Sequence, residues 1–387
     1  MKIGIVGAGI AGCHLGRRLA AAGLEVKLFD PRAPWEKPCG GGLTAKVWKD
    51  FPEILELGLK THSADQLVVV SPSGRRAEIG LEGRIRTVSR FALGKALLDR
   101  AVKAGATLAP VRVNKVHKCS PGWALHAQEA EEKVDYLVGA DGAAGLVRKS
   151  VAGRFLREDL LVSYGHLIPG EPRTPIVIRF WEEFEGYAWL FPRPEGYSIG
   201  IVARSDRARS GPLLQKLKEF AADEFKMAGL EAPVLPRPFS ALIPAMYQES
   251  FFAAVPAGPD WALAGDASGA VDPISGEGIY WALKSADLLA DSLLDNGGRD
   301  YAERWHEMAG PNIARAAHMR LTLYVPRYLR LLALFLQYSP FSRAIAREMI
   351  DGTQDYWTLK RRIAWHLPQV AGEVLLNRLL KRKNRPR

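Results

Sequence analysis

The 387-residue chain is 48% hydrophobic and 25% charged, with a formal net charge of +11, which is the composition of a folded protein with two or three core-forming units. Its three cysteines, Cys13, Cys39 and Cys119, form neither an even disulfide framework nor a Cys-x-x-Cys zinc pair, which favours a reducing, cytoplasmic location and no metal site. No stretch reaches about 18 uninterrupted apolar residues, so we expect no transmembrane helix.

A glycine fingerprint lies between the first two predicted strands. The strands cover residues 2–6 and 24–29, and the sequence Gly-Ala-Gly-Ile-Ala-Gly at residues 7–12 joins the first strand to a helix. In this context the glycines allow a tight turn, the close approach of a pyrophosphate and the packing of helix on strand, while the acid ending the second strand accepts ribose hydroxyls. The residues with these roles are Gly7, Gly9, Gly12 and Asp30. The sequence therefore predicts a dinucleotide site.

Three consecutive glycines follow at residues 40–42, in the sequence Lys-Pro-Cys-Gly-Gly-Gly. Such a run loses too much conformational entropy to form the interior of a stable helix or strand. It is either a flexible loop or a place where the backbone passes close to a flat ligand. Cys39, directly before it, is either a small buried residue or a reactive thiol.

Short strands dominate the middle of the chain. A turn signal at residues 72–74 predicts a hairpin over residues 62–82, and a helix with Arg90 in its first turn follows. An arginine there is a candidate to reach a pyrophosphate. Further strands are predicted over residues 107–116, 123–128, 133–138, 161–167, 175–180, 187–191 and 197–203, with one helix over residues 212–227. The last four strands indicate an antiparallel sheet that forms the substrate half.

Three aromatic residues alternate along one of these strands. Tyr187, Trp189 and Phe191 share one face because successive side chains of a strand point to opposite sides. An aromatic stripe of this kind is either part of a core or the wall of a long apolar cavity.

The stretch over residues 261–294 combines a strand, a glycine-rich turn and a helix. The strand ends at Gly265 and Asp266, and an amphipathic helix is predicted over residues 279–294 after Gly278. This arrangement aims backbone N–H groups and the positive end of a helix dipole at an anion. We therefore expect this stretch to contact a large, negatively charged ligand.

Three blocks thus occur in order, at residues 7–12, at residues 139–142 (Gly-Ala-Asp-Gly) and at residues 265–278. This combination resembles the FAD-binding domain of the flavoprotein hydroxylase-like superfamily. Within that superfamily the chain is most similar to the geranylgeranyl reductase family. The segments that carry this likeness are residues 37–42, 187–192 and 272–280.

The resemblance implies an α/β fold with a Rossmann-like FAD-binding domain of the p-hydroxybenzoate-hydroxylase type. An antiparallel β substrate domain and a helical C-terminal region would complete it. The expected FAD-binding domain comprises residues 1–150 and 257–300, with the hairpin over residues 62–82 contributing to the substrate side. Residues 151–256 would form the substrate domain and residues 301–387 the basic helical region.

The resemblance also implies which residues bind FAD. The residue matching Asp266 would meet the ribityl and pyrophosphate region, and the helix beginning near Gly278 would point at the flavin pyrimidine edge, where reduced flavin carries negative charge. The implied FAD-binding residues are Gly7, Gly9, Ala11, Gly12, Asp30, Cys39, Gly40, Gly42, Arg90, Val113, Asp141, Gly265, Asp266, Pro273, Gly276, Gly278 and Ile279.

The activity that the resemblance implies is the reduction of isolated C=C bonds in prenyl chains of lipids, quinones or chlorophyll precursors. Hydride would pass from reduced flavin N5 to one alkene carbon and a proton to the other. Cys39 is the candidate catalytic proton donor, since a thiol is mostly protonated at neutral pH, and Tyr187, Trp189 and Phe191 are candidates to line the prenyl channel. The chain has no second dinucleotide fingerprint, so the electrons would come from transiently docked NAD(P)H or from a protein donor.

Two other classes of FAD-binding protein are alternatives to a reductase. An FAD-dependent monooxygenase or halogenase has the same fold, but a halogenase is expected to show Trp-x-Trp-x-Ile-Pro where this chain has Tyr187 first and Phe191 in place of isoleucine. A hydroxylase would consume oxygen in step with its substrate, whereas a reductase would work best without oxygen. A non-catalytic, membrane-associated flavoprotein would lack a cavity for a substrate.

The C-terminal tail carries most of the positive charge. Residues 301–387 hold 16 Lys or Arg and 6 Asp or Glu, but no nucleic-acid-binding motif accompanies them, so we expect no nucleic-acid partner. The tail helices either pack on the core or lie on an anionic membrane as a peripheral contact. Its apolar positions include Leu329, Leu332, Leu336, Ile345 and Met349.

Overall fold

The computed structural model describes residues 1–128 and 130–383. The strands are β1 Lys2–Val6, β2 Glu25–Phe29, β3 Gly42–Thr44, β4 Thr61–Val70, β5 Arg76–Val88, β6 Thr107–Ala109, β7 Val113–Lys118, β8 Trp123–Ala127, β9 Ala130–Val134, β10 Tyr136–Gly139, β11 Leu160–Pro169, β12 Ile176–Phe180, β13 Gly186–Arg193, β14 Gly196–Arg204, β15 Phe239–Pro244, β16 Ala257–Gly258 and β17 Trp261–Leu263. The α-helices are α1 Ile10–Ala21, α2 Ala45–Asp50, α3 Arg90–Lys103, α4 Leu146–Val151, α5 Ser210–Met227, α6 Gln248–Ala253, α7 Ile279–Asn296, α8 Tyr301–Ala309, α9 Arg315–Leu323, α10 Pro326–Tyr338, α11 Pro340–Asp351, α12 Tyr356–Trp365 and α13 Leu367–Lys383.

The first of two compact units is built on a mostly parallel sheet. It comprises Met1–Lys37, Arg90–Leu161 and Leu242–His318. Its six strands have the order β16-β17-β10-β1-β2-β6, and every pair is parallel except the edge pair of β16 with β17. The central strand β1 buries Ile3 and Ile5 completely, as expected of a parallel strand covered on both faces. This is the predicted α/β, Rossmann-like arrangement.

Two of the predicted strands are each divided between two sheets. The chain over residues 133–138 leaves the three-stranded meander β7-β8-β9 at the end of β9 and joins the parallel sheet as β10. Asp135 lies at the break, where its carboxylate accepts a hydrogen bond of 2.6 Å from the backbone N–H of Lys2. The chain over residues 107–116 is likewise interrupted between β6 and β7. Apolar periodicity could not separate these strands, because both halves of each are partly buried.

The second unit is built on a mixed eight-stranded sheet. It comprises Pro38–Ser89, Val162–Ala241 and the chain from Met319. The strand order is β15-β11-β14-β13-β12-β4-β5-β3. The strand β13 pairs antiparallel with β12 and β14, and β4 pairs antiparallel with β5, whereas β12 and β4 are parallel. The sequence did not predict this parallel pairing, which places the hairpin of β4 and β5 in the same sheet as the aromatic strand.

The tail helices α10 and α11 pack on this second sheet. Leu336 lies in a buried cluster with Val69, Ala77 and Ile79 of the hairpin. In the tail, Leu329, Leu336 and Ile345 are buried, Leu332 packs against the same cluster, and Met349 is half-buried. The sequence left open whether these residues pack on the core or lie on a membrane, and the structure shows that they pack. None of the helices in the described ranges combines the length and the apolarity needed to cross a bilayer.

Candidate active site

The three glycines of the first turn differ in what surrounds them. Gly7 has φ +103°, and a Cβ on it would lie 2.3 Å from the carbonyl oxygen of Ala140. A Cβ on Gly12 would lie 1.9 Å from the carbonyl oxygen of Gly7. A Cβ on Gly9, by contrast, would meet no atom within 4 Å among the described residues other than its chain neighbours. The fold therefore needs Gly7 and Gly12, while the space beside Gly9 suits a ligand that approaches the backbone.

Asp30 closes this turn from the end of β2. Its carboxylate accepts hydrogen bonds from the N–H of Ala8 at 3.0 Å and from the N–H of Arg32 at 2.9 Å. The side chain is half-buried, so it both stabilises the turn and remains partly accessible. Cys13, one turn into α1, donates to the carbonyl oxygen of Ala8, and burial raises the pKa of its thiol to about 12, which makes it unreactive.

The turn after β17 meets the start of α1. Gly265 has φ +62°, and a Cβ on it would lie 3.0 Å from the Cβ of Ala11. Its N–H donates to the hydroxyl of Ser285 in α7 at 2.9 Å. Two blocks that are about 250 residues apart in the sequence are thus in contact.

Asp266 carries a charge partner that the sequence analysis missed. Its carboxylate lies 2.6 Å from the ammonium of Lys37, and its side chain is 16% exposed. A Cβ on Gly278 would lie 3.4 Å from the same carboxylate, so Asp266 sits beside the start of α7. No local sequence signal links residues 229 positions apart, which is why Lys37 was not singled out.

A folded loop delivers the chain into α7. The carboxylate of the buried Asp272 accepts from the N–H groups of Ile274 and Ser275, both at 2.8 Å, and Gly276, with φ +71°, donates to the carbonyl oxygen of Asp272. Pro273 and Ile279 are buried on either side of the loop. The helix then begins after Gly278, which has no side chain to cap it. The first N–H groups of this 18-residue helix can therefore serve an anion.

Arg90 lies at the first position of α3, as predicted, and Glu36 holds that helix end. The Glu36 carboxylate accepts from the backbone N–H groups of Arg90 at 3.0 Å and Phe91 at 2.9 Å, which caps the helix. The Nε atom of Arg90 is buried and has no hydrogen-bond partner among the residues that the structure describes. A guanidinium with a buried, unsatisfied donor fits an anionic ligand. The sequence carries no local signal for Glu36, because it caps a helix 54 residues further along the chain.

Asp141 and Val113 have structural neighbours of their own. The Asp141 carboxylate accepts a 2.8 Å hydrogen bond from the N–H of Val147 at the start of α4. Burial raises the pKa of this carboxylate to about 6, although backbone hydrogen bonds lower it in part. Val113 is buried in a cluster with Val6 and Leu137. Helix capping and core packing account for these two positions, and their contact with FAD stays a prediction.

In the second unit, the glycine run lies against the aromatic strand. A Cβ on Gly40 would lie 3.0 Å from the ring of Phe191, and so would a Cβ on Gly42. Gly41, between them, has φ +74° and donates its N–H to the sulfur of Cys39 at 3.3 Å. The run is therefore an ordered loop packed on an aromatic ring, with the half-buried Cys39 at its start.

The other two aromatic residues of that strand differ in exposure. Trp189 is 7% exposed, its indole N–H donates to Ser198 at 3.2 Å, and a Cβ on Gly200 would overlap its ring. Tyr187 is half-buried, like Phe191, and packs edge-on against Phe180. Packing within the sheet accounts for Trp189, whereas Tyr187 and Phe191 keep accessible surface. Their role toward a substrate stays a prediction.

The meander carries one further cluster of possible ligand atoms. His126 Nε2 lies 3.0 Å from His117 Nδ1 and 3.4 Å from Glu131 Oε2, and the two imidazole rings stack with centroids 4.9 Å apart. Because hydrogen bonding and stacking account for this arrangement, the cluster does not require an ion.

The first unit therefore offers three features suited to a large dianion. They are the open space at Gly9, the uncapped start of α7 and the unsatisfied Nε donor of Arg90. Glycine turns at the carboxyl ends of parallel strands, with an acid at the end of the second strand, form the site that binds FAD in Rossmann-like domains. The residues fit the cofactor, and the fold and site define an FAD-binding flavoprotein.

Known proteins are similar to the chain over most of its length. Geranylgeranyl diphosphate reductase from Rhodobacter capsulatus is 31% identical over 311 residues, which are 75% of this chain and 73% of that protein. Menaquinone reductase from Mycobacterium tuberculosis is 29% identical over 84% of each chain. Residues 3–157 also match a family described as lycopene cyclase protein.

Solved structures confirm the fold. A geranylgeranyl bacteriochlorophyll reductase-like protein from Thermoplasma acidophilum has a TM-score of 0.73 at 18% identity, covering 94% of this chain and 98% of that chain. The flavin-dependent brominase Bmp2 has a TM-score of 0.68 at 18% identity, covering 95% and 99%. At these identities the structural likeness establishes the fold alone. With the sequence relatives, however, the assignment is specific: the chain belongs to the geranylgeranyl reductase family of FAD-dependent oxidoreductases.

Proposed function

We propose that this protein saturates isolated C=C bonds in a prenyl chain of the geranylgeranyl type, carried on a lipid, a quinone or a pigment precursor. Relatives that cover most of the chain are named geranylgeranyl diphosphate reductase and menaquinone reductase, and both names denote substrates with prenyl chains. The observation that carries the proposal is the contact of the Cys39–Gly42 loop with Phe191, because it joins two of the three segments on which the family likeness rests.

The proposed roles of the residues follow from their surroundings. Gly9 admits the FAD pyrophosphate to the backbone, Arg90 neutralises it, and Asp30 accepts the ribose hydroxyls. The start of α7, after Gly278, faces the negative pyrimidine edge of the flavin. Bound FAD supplies a hydride from its reduced ring. The protein supplies orientation and a dry site, on which the reduction of an unactivated alkene depends heavily.

The proton for the second alkene carbon is assigned to Cys39 Sγ. Cys39 is the half-buried residue at the start of the ordered glycine loop, and a thiol is mostly protonated at neutral pH. Tyr187 and Phe191, which keep accessible surface on the neighbouring strand, would contact the prenyl chain and exclude water. NAD(P)H or a protein donor would return the flavin to its reduced form.

An anaerobic product assay tests the proposal. FAD-loaded protein is reduced with NADPH or, in a parallel reaction, with dithionite, and is incubated with geranylgeranyl diphosphate or a menaquinone in detergent. We expect the product to gain the mass of two hydrogen atoms for each saturated bond. Product in the dithionite reaction alone would indicate a protein donor. If neither substrate gains hydrogen under either reductant, the proposed reaction is wrong.

Oxygen uptake separates the monooxygenase alternative from the reductase. In air, a hydroxylase consumes oxygen in proportion to its product and adds an oxygen atom to the substrate. The proposed reductase instead loses reducing equivalents to oxygen without oxygenating the prenyl chain. A product that has gained oxygen in place of hydrogen would favour the hydroxylase.

A further inference from the structure

The last two helices turn large apolar side chains toward solvent. In α12 the residues Trp357 and Trp365 are 66% and 81% exposed. In α13, Leu375, Leu376 and Leu379 are 64%, 59% and 51% exposed. Isolated exposed apolar residues are ordinary on protein surfaces, but five large ones on two consecutive helices indicate an interaction surface.

Exposed leucines occupy the outward side of α13. On its inward side Val370 is buried and two polar side chains anchor the helix: the Glu373 carboxylate accepts from the hydroxyl of Ser339 at 2.5 Å, and the Asn377 amide donates to the carbonyl oxygen of Tyr338 at 2.8 Å. Its leucines point away from the protein. A soluble helix places apolar residues inward and polar residues outward, so the outward face of α13 is suited to an apolar environment.

Positive charge accompanies this apolar face. From Tyr356 to Lys383 the chain has seven Lys or Arg and one acid, the inward-facing Glu373. Arg361 lies between Trp357 and Trp365 on one face of α12, because residues four apart are neighbours on a helix. Lys360 and Arg378 are also exposed. Tryptophan beside Lys and Arg is the composition of segments that lie at the interface of an anionic bilayer.

We propose that the outward face of α12 and α13 docks this protein peripherally onto an anionic lipid bilayer. The leucines and tryptophans would enter the boundary between headgroups and acyl chains, and the basic side chains would meet lipid phosphates. A second copy of the chain would set like charges against each other across a two-fold interface, so charge complementarity favours lipid. The sequence analysis left membrane contact open for the whole basic tail, and the apolar positions that it named in α10 and α11 are buried or half-buried.

The proposal goes beyond the redox reaction and does not depend on which substrate is reduced. Co-flotation of the full-length, FAD-loaded protein with vesicles tests it directly. One set of vesicles is phosphatidylcholine alone, and the other contains about 30% phosphatidylglycerol, which supplies the anionic surface. We expect binding to the anionic vesicles, weaker binding to the neutral ones and a loss of binding as salt is added, because salt screens the attraction.

Three variants resolve the contributions. The leucine variant removes the apolar face and combines Leu375→Gln, Leu376→Gln and Leu379→Gln. The charge variant removes described cationic side chains and combines Lys360→Gln, Arg361→Gln and Arg378→Gln. We expect each to lower partitioning by about tenfold or more, since burial of each leucine and approach of each cation contribute separately. The matched control replaces exposed leucines elsewhere, Leu55→Gln with Leu156→Gln and Leu294→Gln, and should bind like the unmodified protein.

Specific outcomes would overturn the proposal. The proposal is wrong if anionic vesicles fail to bind the unmodified protein. It is also wrong if the leucine variant floats with the vesicles as well as the control variant does. A dimer in sedimentation that the leucine variant abolishes, without vesicle binding, would instead assign the face to self-association. Flavin absorbance and circular dichroism are recorded for every variant, and if the leucine variant fails to fold, the charge variant decides the question.

Discussion

At the scale of single residues, the first turn shows how one motif can combine requirements of folding and of binding. Gly7 and Gly12 are confined by neighbouring carbonyl oxygens, so the chain could not make this turn with any larger residue. Gly9 has no such neighbour, and the proposed approach of FAD to the backbone would account for its lack of a side chain. A sequence pattern identifies all three glycines equally, and only the structure separates their roles.

Alanine at Gly9 and at Gly12 should therefore have different effects. For Gly9→Ala we expect an unchanged melting temperature without added FAD and a loss of FAD affinity of about tenfold, equivalent to about 1.4 kcal/mol. Gly12→Ala should lower the melting temperature itself, since overpacking against a backbone oxygen costs about 1–3 kcal/mol or more. Flavin fluorescence titration and thermal unfolding measure both quantities. Equal destabilisation by the two variants would contradict the distinction.

Cys39 offers a second prediction at this scale. If its sulfur donates the proton, Cys39→Ala should slow prenyl saturation by about 100-fold, the usual contribution of a general acid, while dithionite still reduces the bound flavin. Cys119→Ala is the matched control, because Cys119 is also half-buried but lies in the meander turn between β7 and β8. Cys39 is not the proton donor if the Cys39→Ala variant turns over normally and its solvent isotope effect is unchanged from that of the unmodified protein.

At the scale of elements, the strongly periodic segments were predictable from the sequence and the long-range pairings were not. β1, β2, β13, β14 and α7 lie within a residue or two of their predicted bounds, because apolar periodicity and glycine turns mark their ends. Periodicity carries no information on strand partners, which is why the parallel pairing of β12 with β4 was missed. The same limit hid the helix cap from Glu36 and the ion pair of Lys37 with Asp266, which both depend on tertiary contacts.

The packing of α10 on the hairpin can be tested at this scale. Leu336 is 4% exposed against the sheet, whereas Leu331, on the same helix, is 42% exposed. Leu336→Ala should destabilise the protein by about 2–5 kcal/mol, because it removes buried methyl groups and leaves a cavity. Leu331→Ala should change stability by about 0.5 kcal/mol or less, as surface substitutions do. Thermal or urea unfolding measures both. Similar effects of the two variants would contradict the packed position of α10.

At the scale of the whole molecule, charge and apolar surface are concentrated in one part of the sequence. Residues 301–387 hold 16 of the 53 Lys and Arg residues but only 6 of the 42 Asp and Glu residues. Composition alone predicted a basic tail and left its role open. The structure divides that tail in two: α10 and α11 contribute buried apolar residues such as Leu336 and Ile345, whereas α12 exposes two tryptophans and α13 exposes leucines. Sequence periodicity could not make this division, because it shows which residues share a helix face and not whether that face is covered.

The hydrogen bonds of Glu373 and Asn377 fix the orientation of α13, which determines how its exposed leucines could meet a bilayer. Rolling α13 about its axis to shelter the leucines from water would break the bonds to Tyr338 and to the fully buried Ser339, which would cost free energy. The helix is thus preorganised, because its apolar side faces outward before the protein contacts a bilayer. Adsorption then needs no refolding step, so the rate of attachment would be set by diffusion and charge alone.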